Sequence, residues 1–206
     1  MAECAWQWWF GLRRAVCRAD TGPVIGALFG ARLAEAQSGD EAAFACLFRD
    51  VQPALLRYLQ VIAPEAADDV AGETWLQVVA GLAGFRGGEE AFRAWLFTIA
   101  RHRAIDAGRS RAPPPHHPAP REWGGAAGCP GRGRRRAGAD YDARWLALIS
   151  ALPPDQAEII MLRVVAGLAA HDVAQLVGKS PGAVRVAAHR GLRRLAAAVD
   201  RVGVTP

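Results

Sequence analysis

Over most of this chain apolar residues recur at three- and four-residue steps, the spacing of one face of an α-helix. In the stretch from Ala31 to Ile62 the stripe is Phe44, Leu47, Phe48, Val51, Leu55, Leu59 and Ile62. Pro53 falls inside this run and predicts a break or kink dividing it into two helices, and Pro64 closes it. A second stripe, Ala71, Trp75, Val78, Val79 and Leu82, predicts a helix starting near Asp68. Asp68, Asp69 and Glu73 then sit in its first turns, where the helix dipole favours carboxylates. Gly84, Gly87 and Gly88 mark a loop, and a third helix follows over about 89–106, with Phe92, Trp95, Leu96, Ile99 and Arg103 along one side. Trp95 lies on that stripe and reads as core. No strand-like alternation interrupts this half, so 31–107 is expected to be a compact helical bundle.

Residues 108–139 break the pattern. APPPHHPAP is followed by GGAAGCPGRGRRRAG, which offers almost nothing to bury, and reads as a flexible linker. Helical spacing returns in 140–200. Trp145, Leu146 and Ile149 open it, and LPPDQAEIIMLRVVAGL continues with a proline-started helix whose Asp155 and Glu158 lie in the first turns and whose Ile159, Leu162 and Val165 face inward. Next come two short helices with a tight turn. Leu168, Val173, Leu176 and Val177 stripe the first, and Gly178 is placed to end it in the left-handed conformation. Ser180 reads as the N-cap of the next helix and Pro181 as its first residue. Val184, Ala188, Leu192, Leu195 and Val199 form the inward stripe there, while Arg185, His189, Arg190, Arg193 and Arg194 fall largely off it. The fold class expected is therefore all-α: two small helical bundles joined by a flexible linker, the second, near the lower size limit for independent folding, containing a helix–turn–helix.

Charge gives that second bundle a direction. The 206 residues carry a formal net charge of +5, which favours a polyanionic partner, and a basic outer face on the second helix of a helix–turn–helix suits a DNA major groove. By themselves these residues also fit a helical hairpin with a solvated basic face. The linker holds seven arginines against the single Glu122, enough to touch phosphates without sequence preference. No phosphate-binding glycine loop, GxSxG or HExxH is present, so no enzyme, cofactor or small-molecule substrate is expected. Cys4, Cys17, Cys46 and Cys129 form no CxxC pair and have no histidine at zinc-finger spacing, which predicts free thiols in a reducing cytoplasm and no metal; His116 and His117 in the linker are weak metal candidates. No run of eighteen apolar residues exists. In 1–30, Trp6, Trp8, Trp9 and Phe10 precede Arg13, Arg14 and Arg18; an interfacial anchor fits these residues, but a tail outside the fold, with the start of the chain near Val24, is the simpler expectation.

Four stretches in order resemble the extracytoplasmic-function class of bacterial sigma factors, the smallest sigma-70-type initiation factors. SGDEAAFACLFRDVQPALLRYL is similar to the opening of the family's second region, and DDVAGETWLQVVAGL to its helix that grips the polymerase clamp. FRGGEEAFRAWLFTIARHRAIDAGR resembles the segment that recognises and melts the minus-ten element. LPPDQAEIIMLRVVAGL with the helix–turn–helix resembles the fourth region, which binds the minus-thirty-five element. The resemblance implies core-polymerase contacts at Asp69, Glu73 and Gln77. It implies minus-ten contacts at Arg86, Arg93, Arg101, His102 and Arg103, and minus-thirty-five contacts at Arg185, Val186, His189, Arg190, Arg193 and Arg194.

Some positions depart from the family. Gly72 stands where glutamine is usual, His102 where asparagine is, and Ala169, Ala170 and His171 replace a serine and an acidic cap. The implied partners are bacterial RNA polymerase core, promoter DNA and an anti-sigma factor, in the cytoplasm. Two other readings stay open on the residues: a dimeric helix–turn–helix regulator acting without polymerase, and a protein-interaction module whose function would survive loss of Arg185.

Overall fold

The structure is a computed structural model and describes residues 26–111 and 136–202; the tryptophan-rich N-terminal stretch, His116 and His117, and most of the linker lie outside the described residues. A short 3-10 turn leads into α1 (Phe29–Gln37), followed by α2 (Glu41–Ile62), α3 (Ala67–Leu82) and α4 (Glu89–Arg111). Beyond the linker come α5 (Arg136–Ser150), α6 (Pro154–Ile160), a π-helical turn (Met161–Val165), α7 (Ala170–Val177) and α8 (Pro181–Val202). No strand occurs among the described residues, and none of their helices is long and apolar enough to cross a membrane. Helices α4 and α5 reach past the predicted ends into 108–139 at both sides.

The first bundle is built round α2, where the sequence-based expectation of a break at Pro53 fails for an instructive reason. The chain stays helical through Pro53; the break comes earlier, at Ser38–Asp40, where Gly39 takes φ +99° and the Asp40 carboxylate accepts from the Ala43 amide at 2.8 Å. An interior proline costs about 3 kcal/mol through its missing donor. Here that loss is offset because Val51, Ala54, Leu55, Tyr58 and Leu59 are buried on either side of it. The carbonyl left without a proline donor belongs to Arg49, whose residue is exposed and can meet water.

Helix α3 buries Val70, Ala71, Thr74, Trp75, Val78 and Leu82 against α2 and α4. Val79, expected inside, is 55% exposed: at 100° per residue it stands off the line that Val78 and Leu82 define. The Trp75 indole donates to Gln52 Oε1 at 2.6 Å. Gln37 at the end of α1 donates to the carbonyls of Leu82 and Phe85, both at 2.9 Å, and so closes the C-terminal end of α3. Phe85 stacks on Trp95 with centroids 5.1 Å apart, and Trp95 packs at the edge of the core as expected. Gly72 is exposed in mid-helix, and a Cβ there would meet nothing within 4 Å. Gly72→Ala is therefore expected to raise stability by about 1 kcal/mol, read as a higher midpoint in thermal unfolding.

The second bundle packs α6 and α7 on α8, with α5 alongside. Its core includes Ile159, Ile160, Met161, Leu162, Val173, Val184 and Leu195. The π turn was not anticipated: it widens the helix after Ile160, so that Met161, Leu162, Val164 and Val165 are all buried. Helices α6 and α8 cross closely at the buried Gly191, where a Cβ would stand 2.5 Å from Ile160 Cδ1. The two bundles also touch each other. Helix α2 packs against α5, α6 and the π turn, and α4 meets α7.

Candidate nucleic-acid interface

Helix α8 is set by its own punctuation. Gly178 ends α7 at φ +68°, ψ +34°, and the Lys179 amide donates back to the Ala174 carbonyl at 2.9 Å. Ser180 Oγ then accepts from the Ala183 amide at 3.2 Å, the N-cap bond read from the sequence. Lys179 pairs with Asp155 at the start of α6, tying the turn to the rest of the bundle. The N-terminus of α7 has no such side-chain cap, as Ala169 implies.

With Val184, Gly191, Leu195 and Val199 buried, geometry turns Arg185, Val186, His189, Arg190, Arg193 and Arg194 outward, and all six are exposed. The structure brings this set together on one helix face. Arg194 Nη1 donates to Gln156 Oε1 at 3.0 Å, so it is partly held to α6. A further arginine, missed from sequence, stands behind them. Arg163 on the π turn donates from Nη1 to the Leu168 carbonyl, bracing the entry to the helix–turn–helix. Burial, and then the nearby charge of Arg185, push the Arg163 guanidinium below its usual range.

The first bundle treats its predicted residues unequally. Arg86, in the loop after α3, is exposed and donates to the carbonyls of Ala83 and Phe85. His102 is exposed on α4. Arg103 donates from Nε and Nη2 to Gln77 Oε1, at 3.2 and 3.0 Å, and lies 4.0 Å from Glu73. Arg93 is held in a pair with Asp50, whose side chain is 5% exposed, and bonds Glu89 at 3.2 Å. Arg101 donates from Nε to Glu158 of the second bundle at 2.7 Å. The five are thus spread over a loop and α4, with three of them engaged by other side chains.

Asp69, Glu73 and Gln77 lie along the outward face of α3. The same face carries Leu76, 73% exposed, which sequence reasoning passed over. Its signal was available: Leu76 lies 100° round from Trp75 and off the buried line. A large aliphatic side chain left in water beside acidic neighbours suits a protein partner. Among the described residues no group of three His, Cys, Asp or Glu side chains could hold a metal ion, and Cys46 is a free thiol.

A helical bundle followed by a helix–turn–helix bundle with an open basic reading helix defines a DNA-binding protein of the transcription apparatus. Comparison with known proteins makes this specific. Residues 47–113 match sigma-70 region 2 and residues 142–195 match sigma-70 region 4. The ECF RNA polymerase sigma factor SigD of Mycobacterium tuberculosis is 37% identical over 172 residues, covering 79% of this chain and 80% of that protein. The ECF RNA polymerase sigma factor ShbA of Streptomyces griseus is 34% identical over 198 residues, covering 89% of this chain and all of that protein. Among solved structures, CnrH in complex with the cytosolic domain of CnrY superposes with a TM-score of 0.55 at 26% identity, over 83% of this chain and 96% of that one. The chain belongs to the ECF sigma factors of the sigma-70 family. It is a promoter-specificity factor for transcription initiation and not an enzyme.

Proposed function

We infer that this protein joins core RNA polymerase in the cytoplasm through the outward face of α3, reads a minus-ten element with the first bundle and a minus-thirty-five element with α8. An anti-sigma partner holds it in check. The observation that carries the reading is the sorting of α8 into a buried apolar line and an outward line of four arginines, a histidine and a valine.

Arg185, Val186, His189 and Arg190 lie in the first half of α8, the end a recognition helix presents to base edges. Arg193 and Arg194 come a turn later and meet phosphates, which position without specifying. In the first bundle the exposed His102 and Arg86, the latter bonded only to loop carbonyls, meet the minus-ten strand. Arg103 and Arg101 join them once released from Gln77 and Glu158. Arg93 serves that surface as a positioning residue, since its charge is already held by Asp50 and Glu89. Polymerase binding falls to Asp69, Glu73 and Gln77, with Leu76 as the apolar anchor among them; such anchors carry much of the binding energy of an interface.

Run-off transcription with purified core polymerase on a genomic promoter library tests the whole reading. Start sites that share two spaced elements are expected. No transcripts, together with no co-purification with core, would sink it and leave the stand-alone regulator in its place. Leu76→Asp is expected to lower co-purification with core about tenfold or more, because it puts a charge where an apolar side chain is to be buried, while circular dichroism stays unchanged.

A further inference from the structure

The first bundle keeps an apolar groove that no described residue fills. It lies where the corner between α1 and α2 meets the C-terminal half of α3. Its volume is about 300 Å³, and Ala36, Phe44, Val79, Leu82 and Ala83 line it. Val79 is 55% exposed, and Leu76, 73% exposed, stands one turn away on the same face of α3. Aliphatic surface left in water on this scale marks a face that something covers. Asp40 and Glu41, both exposed, form its polar edge, and its lining includes no Lys, Arg or His. The groove is therefore apolar in its floor and negative at its rim.

The chain carries a segment of the complementary kind. Ahead of Gly26, Trp6, Trp8, Trp9 and Phe10 are followed by Arg13, Arg14 and Arg18, with no acidic residue between Trp6 and Arg18. Large aromatic rings bring the most apolar area per side chain to such a floor, and a guanidinium pairs with carboxylates at the rim. An apolar floor alone would accept many partners. The acidic rim selects one in which aromatic and cationic residues lie close together.

The tether is long enough for this segment to reach. The groove opens at the Gln37 end of α1, whose nine residues span about 13 Å. The 15 residues between Phe10 and Gly26 could span about 50 Å fully extended. A short tether also keeps the local concentration of the segment high, so a weak contact suffices within one chain.

We propose that residues 6–18 dock in this groove of their own chain. In the free factor they cover the outward face of α3, and core polymerase displaces them when it takes that face. The consequence for transcription rests on the sigma reading; the docking does not, and the two are tested apart.

Limited trypsin digestion of the full chain, read by mass spectrometry, needs neither polymerase nor DNA. Cleavage after Arg13, Arg14 and Arg18 reports docking, and cleavage after Arg132 and Arg134 is the internal reference. Val79→Glu puts a charge into the apolar floor. If about nine molecules in ten are docked, this change is expected to speed cleavage at the first set about tenfold and leave the reference unchanged. Trp8→Ser with Trp9→Ser, made outside the bundle, is expected to do the same, which guards against a misfolded Val79 variant. Equal rates in all three proteins, or acceleration by only one of the two changes, would overturn the docking. Protection that fades as the protein is diluted would give the groove to the segment of a second copy, and would overturn the contact within one chain.

The second arm is transcription with the Trp8, Trp9 variant. On the same occupancy, the factor concentration giving half-maximal transcript is expected to fall about tenfold. An unchanged concentration in a variant whose segment is released would overturn the covering of the polymerase face. Absence of transcript from wild type and variant alike would overturn the sigma reading and leave the digestion result standing.

Discussion

Arg185→Ala is expected to abolish most promoter-dependent transcription while leaving the protein at least as stable as before. An arginine that makes two hydrogen bonds to a guanine contributes about 1–3 kcal/mol of discrimination, so transcript from promoters carrying that base is expected to fall about 5- to 150-fold. Nothing in the packing of α8 depends on this side chain, because its neighbour Val184 and the more distant Leu195 and Val199 hold the helix. Removing it also relieves a like-charge interaction: the guanidinium of Arg163, half-buried and tied to the Leu168 carbonyl, is pushed down in part by Arg185. The measurement is run-off transcription beside thermal unfolding of the same preparations. Undiminished transcript would remove Arg185 from the reading surface, and a lower unfolding midpoint would make it a structural residue. Arg193→Ala, by contrast, is expected to weaken binding evenly across promoters, as loss of a phosphate contact does.

The second large effect belongs to Asp50, which touches neither DNA nor polymerase in the reading above. Its carboxylate is almost fully buried and faces the Arg93 guanidinium from α2, with Glu89 on the other side of the arginine. Removing one member of such a pair leaves the other buried without its partner, typically a loss of 3–5 kcal/mol. Because Glu89 remains, Asp50→Ala is expected near the lower end, about 3 kcal/mol, in urea unfolding. Arg93→Met with Asp50→Leu, which removes both charges, is expected to recover most of that loss. If Asp50→Ala unfolds at the wild-type midpoint, Arg93 is not held as described and returns to the set of residues open to DNA.

Much of this was legible in the sequence because local chemistry and global packing agree. Gly178, Ser180 and Pro181 punctuate the turn into α8 by conformational needs a few residues wide, and the structure shows each in the role its chemistry suggests. The apolar stripes of α2 and α8 were legible because a 3.6-residue period sorts inside from outside without knowledge of the partner helix. Where sequence reasoning went astray, a nonlocal effect outweighed a local one. Pro53 breaks an isolated helix, but burial on both sides carries α2 through it. Val79 belongs to an apolar run, yet only one line of that run meets the core. Glu158 read as an ordinary first-turn acid, and its partners at positions 58 and 101 lie in another bundle. The same holds for Asp50 with Arg93 and for Gln77 with Arg103: no periodicity announces a pair 43 or 26 residues apart.

The division of labour along α8 carries a further consequence. Positions 184, 191, 195 and 199 pack, and positions 185, 186, 189 and 190 face outward, with no residue shared between the two sets. Gly191 makes the boundary sharp, since a Cβ there would stand 2.5 Å from Ile160 Cδ1 and that buried side chain would have to shift. The outward positions can therefore be exchanged one at a time, or all together, without the fold having to be found again. A duplicate of this chain could acquire a different target sequence by a few surface changes, while a drift at position 191 would alter the tilt of the helix and disturb every contact at once. New regulatory circuits are reachable from this scaffold through its exterior alone.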